Sequence, residues 1–248
     1  MNGTAPPTIQ PRSDASPGPA RHATSEAYRS RARDYDQRTD AFRRWRELLV
    51  EQLPVQRGDT VLDVGCGTGL CLPLLQDKVG PDGAIVGIDA SEQMLQVAGE
   101  RVAEHRWDNV ELLVAPVATA AIEHMADAAL FCAVHDVMQS RTALSNIVAH
   151  LRPGAAVAAI GGKWPAPWTW PLRAWVANLH APFVTDFAGF DRPWRLLADL
   201  VPDLQVRELA FGAGYLAVGH ILVIDRSCDD SGGRNPVGGS QAGTPLRQ

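Results

Sequence analysis

Val61 to Gly69 reads VLDVGCGTG, an apolar strand with an acid near its end that runs straight into three alternate glycines, Gly65, Gly67 and Gly69. A turn built this way has no side-chain bulk, so a ligand can lie against its backbone and against the N-terminus of the helix that follows. The loop is a nucleotide-type seat. Spacing then separates two ligand classes. A dinucleotide fingerprint runs G-x-G-x-x-G, whereas this loop runs G-x-G-x-G with Asp63 two residues before the first glycine. A carboxylate there serves a pyrophosphate poorly and a cationic ligand well.

Outward from this loop the chain alternates. LCLPLLQDK (70–78) suggests a helix, GAIVGID (83–89) a second apolar strand ending in Asp89, and SEQMLQVAGERVAEH a helix with Ser91 as N-cap. VELLVA (110–115) and ADAALFCAV (126–134) read as strands three and four, 141–151 as a helix, and AAVAAIGG (155–162) as strand five after the Pro153-Gly154 turn. Continuous apolar strands alternating with helices predict a doubly wound, mostly parallel α/β sheet. LQVRELAF and GYLAVGHILVI are separated only by Gly212-Ala213-Gly214, too short for a crossover helix, so they are expected as an antiparallel hairpin on one edge.

The Val61–Gly69 segment resembles the first motif of class I S-adenosylmethionine-dependent methyltransferases, whose ligand carries a sulfonium and an ammonium. The resemblance covers about residues 25 to 225 and implies a Rossmann-like sheet of seven strands with the last antiparallel. It also implies S-adenosyl-L-methionine as cofactor. In open α/β sheets ligands sit beyond the carboxyl ends of the strands at the topological switch point. By the resemblance, the loop (Gly65, Cys66, Gly67, Gly69) passes the methionyl part and Asp63 helps to hold its amino group. Asp89, at the end of strand two, is placed to accept hydrogen bonds from both ribose hydroxyls. Ala90 and Met94 offer an apolar edge for adenine, although Met94 at helical spacing is equally a core position. Many relatives carry an acid after strand three; here Ala115, Pro116 and Val117 stand in its place, so adenine is expected to meet backbone and apolar contacts alone.

Strand four ends in FCAVHDV, which places His135 and Asp136 beside the position expected for the transferred methyl, with Cys132 a candidate cofactor contact. His135 is the candidate general base, a histidine being able to take a proton near neutral pH, with a packing role as the alternative. The segment 163–194 holds five of the seven tryptophans. It is expected as a lid over the cofactor face, with Trp164, Trp168, Trp170, Trp175, Phe183, Phe187 and Phe190 forming an aromatic interior. Such walls suit a flat apolar substrate or a cation. Lys163, Trp164 and Trp168 are the candidate substrate contacts there. Upstream, ARDYD (32–36) is similar to the Ala-x-x-Tyr-Asp that precedes the first motif in many small-molecule methyltransferases, which nominates Tyr35 as a cofactor contact and Tyr28 as a substrate contact.

Composition bounds the rest. A net charge of −5 argues against nucleic acid as a partner, and the arginines between Arg29 and Arg46 are interleaved with acids, as on a solvated helix face. Residues 1–23 and 227–248 are poor in aliphatic side chains and are expected as disordered tails flanking one methyltransferase domain over 24–226. Cys66, Cys71, Cys132 and Cys228 have no metal-type spacing and read as reduced thiols, no metal is expected, and the absence of a long apolar run predicts a cytoplasmic protein without membrane insertion. The expected function is methyl transfer to a small apolar or aromatic metabolite. Two rivals are a methyltransferase-fold scaffold or rearrangement catalyst that has lost methyl transfer, and an NAD-dependent oxidoreductase, which the glycine spacing disfavours.

Overall fold

The computed structural model describes residues 36, 39–181, 184 and 186–222. Tyr28, Tyr35, Phe183 and both expected tails lie outside the described residues. The chain order begins with α1 (Arg43–Gln52), β1 (Thr60–Val64), α2 (Leu72–Val79), β2 (Ala84–Asp89), α3 (Glu92–His105) and β3 (Val110–Val114). It continues with β4 (Ala126–Cys132), α4 (His135–Met138), α5 (Arg141–Ala149), β5 (Leu151–Gly162), α6 (Trp170–His180) and α7 (Arg195–Ala198). The strands β6 (Gln205–Leu209) and β7 (Gly214–His220) close the fold.

These strands form one seven-stranded sheet in the order β3-β2-β1-β4-β5-β7-β6. All neighbours from β3 to β5 are parallel, and β7 runs antiparallel to both β5 and β6. The parallel strands read as unbroken apolar runs because helices cover both faces: Val61, Leu62 and Val64 of β1 are fully buried. Burial of each such side chain contributes about 1.5–3 kcal/mol. On one face Phe131, Leu144 and Ile147 pack together. On the other, Leu72, Leu75 and Leu95 do so. The helices are seated by local chemistry, as the N-caps show: Ser91 Oγ accepts the Met94 N–H, and Ser140 Oγ accepts the Ala143 N–H.

The direction of winding reverses between β1 and β4, so their carboxyl ends diverge and leave a crevice. Register brings the relevant ends to one level. Asp63 lies opposite Gly87 and Leu130, Asp89 opposite Val114, and Cys132 opposite Ile160. Two boundaries differ from the sequence expectation. β5 starts at Leu151, because Leu151 pairs with Ala126 before a register shift carries the strand through Pro153 and Gly154. The short helices α4 and α7 carry too few residues to show a period in sequence. The expected hairpin is β6–β7, with Leu209 opposite Gly214 and Ala210, Phe211 and Gly212 all at positive φ in the turn.

Candidate functional site

Beyond the strand ends lies an open cavity of about 1060 Å³, its mouth included. The glycine loop forms its floor. Gly65, Gly67 and Gly69 have φ of 67°, 56° and 75°, left-handed values that favour glycine. A Cβ on Gly65 would come within 2.4 Å of the Val134 side chain, whereas one on Gly67 would meet nothing within 4 Å. Gly65 is therefore a packing requirement, and Gly67 bares its backbone to the cavity. The loop is fastened to β2, since the N–H groups of Gly65 and Cys66 both donate to Ile88 O, at 2.7 and 3.1 Å.

Asp63 sits beneath this loop, 1% exposed, and its Oδ2 has no hydrogen-bond partner among the described residues. Burial, then the nearby Asp89 charge, push its carboxyl up to about 7. A buried acceptor with no partner is destabilising by itself, and a cationic donor relieves it. Asp89, at the end of β2, accepts the Gly67 N–H through Oδ2 at 2.9 Å and the Ser91 N–H through Oδ1 at 2.8 Å. Burial raises its pKa, against the lowering effect of those two bonds.

The cavity wall collects Cys66, Cys132 and His135 from the expected residues. Asp89, Ala90, Met94, Pro116 and Val117 stand outside this cavity, around the ends of β2 and β3. Ala90 and Pro116 are exposed, and Val117 is buried with its carbonyl held by Asn146 Nδ2 at 2.8 Å. His135 opens α4 two residues after Ala133, an alanine in the left-handed region at φ 57°, a conformation that costs about 1–3 kcal/mol and clusters at functional sites. The His135 Nε2 lies 3.1 Å from Ala188 O, so that nitrogen carries the proton. Burial lowers its pKa below the ordinary histidine value.

The lid differs from expectation. Trp164 stacks on Phe187 with ring centroids 5.0 Å apart, meets Phe190 edge-on, and carries the Arg173 guanidinium over its other face at 4.7 Å. By contrast, Trp168 is 82% exposed, and Trp170 and Trp175 are also exposed. They do not form the interior: the helical period of α6 turns Val176 and His180 inward and the indoles of Trp170 and Trp175 outward, and Trp168 lies in the turn ahead of that helix. Trp168 therefore has no wall of the cavity to offer a substrate, and Trp164 backs Phe190 rather than lining it. Lys163 is likewise misplaced for a substrate anion. It is 7% exposed, donates to Trp164 O at 3.0 Å and Gly212 O at 3.2 Å, and pairs with Glu208 at 2.9 Å. Those acceptors make it a tie between lid and hairpin.

Other wall residues were not marked in advance. Phe42, Trp45 and Arg46 enter from α1 and the turn before it, and His180 from the end of α6. Trp45 reaches in because Gly214 has no side chain; a Cβ there would lie 2.1 Å from the indole. Arg46 is 8% exposed with Nη1 donating to Thr39 O at 3.0 Å, which puts a buried cation on the wall. The helix-facing period of RRWRELL was the available signal for Trp45 and Arg46; nothing local marks His180.

Residues 61–154 match a family described as a methyltransferase domain. Over that segment the chain is a methyltransferase domain. Over 70 residues it is 41% identical to the demethylmenaquinone methyltransferase of Listeria monocytogenes, a match covering 28% of this chain and 30% of that protein. The chain thus spans under a third of the length of that curated relative. An uncharacterized 37.1 kDa protein of transposon TN4556 from Streptomyces fradiae is 28% identical over 211 residues, covering 83% of this chain and 57% of that one. Among solved structures, the chain superposes on an SAM-dependent methyltransferase from Aquifex aeolicus with a TM-score of 0.53 and 22% identity, covering 78% of this chain and 98% of that one. A putative O-methyltransferase from Nostoc punctiforme gives a TM-score of 0.59 at 17% identity, over 78% of this chain and 60% of that one. At these identities the structures establish the fold.

Proposed function

We propose that this chain transfers a methyl group from S-adenosyl-L-methionine to a small apolar or aromatic metabolite. The observation that carries the reading is Asp63 Oδ2, a buried acceptor without a partner at the foot of a glycine loop whose backbone faces the cavity. That pairing suits a ligand with an ammonium group. Bound there, S-adenosylmethionine would supply an electrophilic methyl on a sulfonium.

The chain's own residues have distinct tasks in this reading. Asp63 holds the ammonium, Gly65, Cys66, Gly67 and Gly69 admit the chain of the ligand, and Arg46 offers guanidinium donors for its carboxylate. Asp89 keeps lone pairs free for the ribose, while Ala90, Met94, Pro116 and Val117 supply the apolar surround for adenine. Cys132 lies between the two halves. Phe42, Trp45, Phe190 and Tyr215 line the remaining volume, which favours a flat apolar substrate. Close positioning of the two reactants supplies much of the rate. Native mass spectrometry of the purified protein should show a co-purified S-adenosyl species. Calorimetry with S-adenosylhomocysteine and with NADH decides the class: tighter binding of NADH overturns the reading.

A further inference from the structure

We infer that His180, at the C-terminal end of α6, accepts the proton from a hydroxyl carried by an aromatic substrate. The inference rests on the methyl-transfer reading of the same cavity. His180 lines that cavity, and among the described residues neither ring nitrogen has a hydrogen-bond partner. Its ring is fixed by packing alone. Phe190 meets it edge-on at 5.3 Å, Phe42 lies tilted at 6.5 Å, and Gly162 gives it room, since a Cβ there would stand 2.4 Å from Nε2.

The other titratable groups on the wall are otherwise engaged. His135 is tied through its ring to the backbone of Ala188 and Asp186, which makes it a latch on the lid loop. Burial raises the thiol pKa of Cys66 and that of the Tyr215 phenol, and the side-chain hydrogen bond with Cys132, then burial, raises that of Cys71, so all three keep their protons. Arg46 is a donor only. Asp63 lies at the glycine loop, the end opposite the lid. Burial, then the neighbouring His135, lowers the His180 pKa, which favours the neutral imidazole.

The step balances simply. The substrate O–H bond breaks, its electron pair stays on oxygen, and an N–H bond forms on the imidazole. The imidazolium returns the proton to water at the mouth of the cavity. Aromatic walls and a Tyr215 hydroxyl on the same surface fit a ring bearing an acidic hydroxyl.

The test uses full-length protein saturated with S-adenosylhomocysteine and 4-nitrophenol as probe, because its phenolate absorbs in the visible and its phenol does not. Below the free probe's own pKa, wild type should draw out the phenolate band. His180→Gln should bind the probe by equilibrium dialysis yet lose the band about tenfold or more, consistent with the scale of base catalysis. His135→Gln should keep it. Gly162→Ala, which drives a methyl into the His180 ring, should lose it with the imidazole still present. A band that survives His180→Gln, one that is lost with His135→Gln instead, or a probe that enters none of these proteins overturns the inference. If the band appears while S-adenosylhomocysteine fails to bind wild type, the methyl-transfer reading falls and the proton acceptor stands.

Discussion

The Asp89 carboxylate joins the end of β2 to the glycine loop: its Oδ2 accepts the Gly67 N–H at 2.9 Å while its Oδ1 accepts the Ser91 N–H at 2.8 Å. One acid thus fixes both the loop and the start of α3. Each oxygen makes a single bond, and a carboxylate oxygen has two lone pairs, so the same group retains capacity for a ligand.

Replacing Asp89 by alanine should accordingly weaken S-adenosylmethionine and S-adenosylhomocysteine by the same factor. Ribose contacts are common to both, and hydrogen bonds to a charged group contribute about 1.5–3 kcal/mol each, hence tenfold or more in Kd. Calorimetry on the pair checks it; a loss confined to one ligand contradicts the assignment. A lowered Tm should accompany the change, since the Gly67 and Ser91 N–H groups lose their acceptor.

Asp63 makes stability and binding depend on pH in opposite directions. The folded chain keeps the Asp63 proton up to about pH 7, against 3.8 for the ordinary carboxyl. Between those values the folded state binds more protons than the unfolded one, so stability falls as pH rises through the window and levels off above about 7. Asp89, also raised by burial, adds to the same slope. Affinity for an ammonium-bearing ligand should rise with pH, up to about tenfold per unit below 7, because the ionised carboxylate is the form that binds. Asp63→Asn should flatten both profiles, raise the Tm at pH 8 and weaken S-adenosylhomocysteine. Melts and calorimetry from pH 5.5 to 8.5 would show it.

The sheet and the loop were legible because they depend on local chemistry. Apolar runs of five to seven residues, Ser91 and Ser140 as caps, and glycines at positive φ all act within a few positions of themselves. The walls of the cavity were not. Lys163 is held by Gly212, 49 positions away, and His180 is seated by Gly162 and Phe190, so neither role has a sequence period. The tryptophan density of 163–194 suggested an interior, yet density does not say which side of a helix faces in; Trp170 and Trp175 of α6 are both exposed.

Asp36 clamps the chain upstream of α1 onto the loop and α3. Its Oδ1 accepts Thr68 Oγ1 at 2.6 Å, its Oδ2 accepts Arg101 Nη2 at 2.8 Å, and Arg101 Nε donates to Thr68 O at 3.2 Å. Both partners of the ion pair are about three-quarters buried, which lifts it above the surface value of about 0–1 kcal/mol. Arg101→Ala should cost about 1–3 kcal/mol by leaving the Asp36 charge poorly compensated. A double-mutant cycle with Asp36→Ala should show strong coupling; additive losses would mean that the contact contributes little.

Ligand-dependent tryptophan fluorescence should come from Trp45 and not from the lid. Trp45 lines the cavity and is pinned against Gly214, whereas Trp168, Trp170 and Trp175 are exposed to water and distant from its lining. Acrylamide should therefore quench the emission of these three of the seven tryptophans first. A hydrophobic ligand added with S-adenosylhomocysteine should change only emission that acrylamide leaves. In Trp45→Phe that change should vanish; in the triple Phe variant at 168, 170 and 175 it should persist over a lower background. Trp164, stacked on Phe187 behind Phe190, should respond only if the lid shifts, so a residual signal in Trp45→Phe would report lid movement. Loss of the signal in the triple variant would instead place the exposed indoles on the substrate and contradict the inward and outward faces assigned to α6.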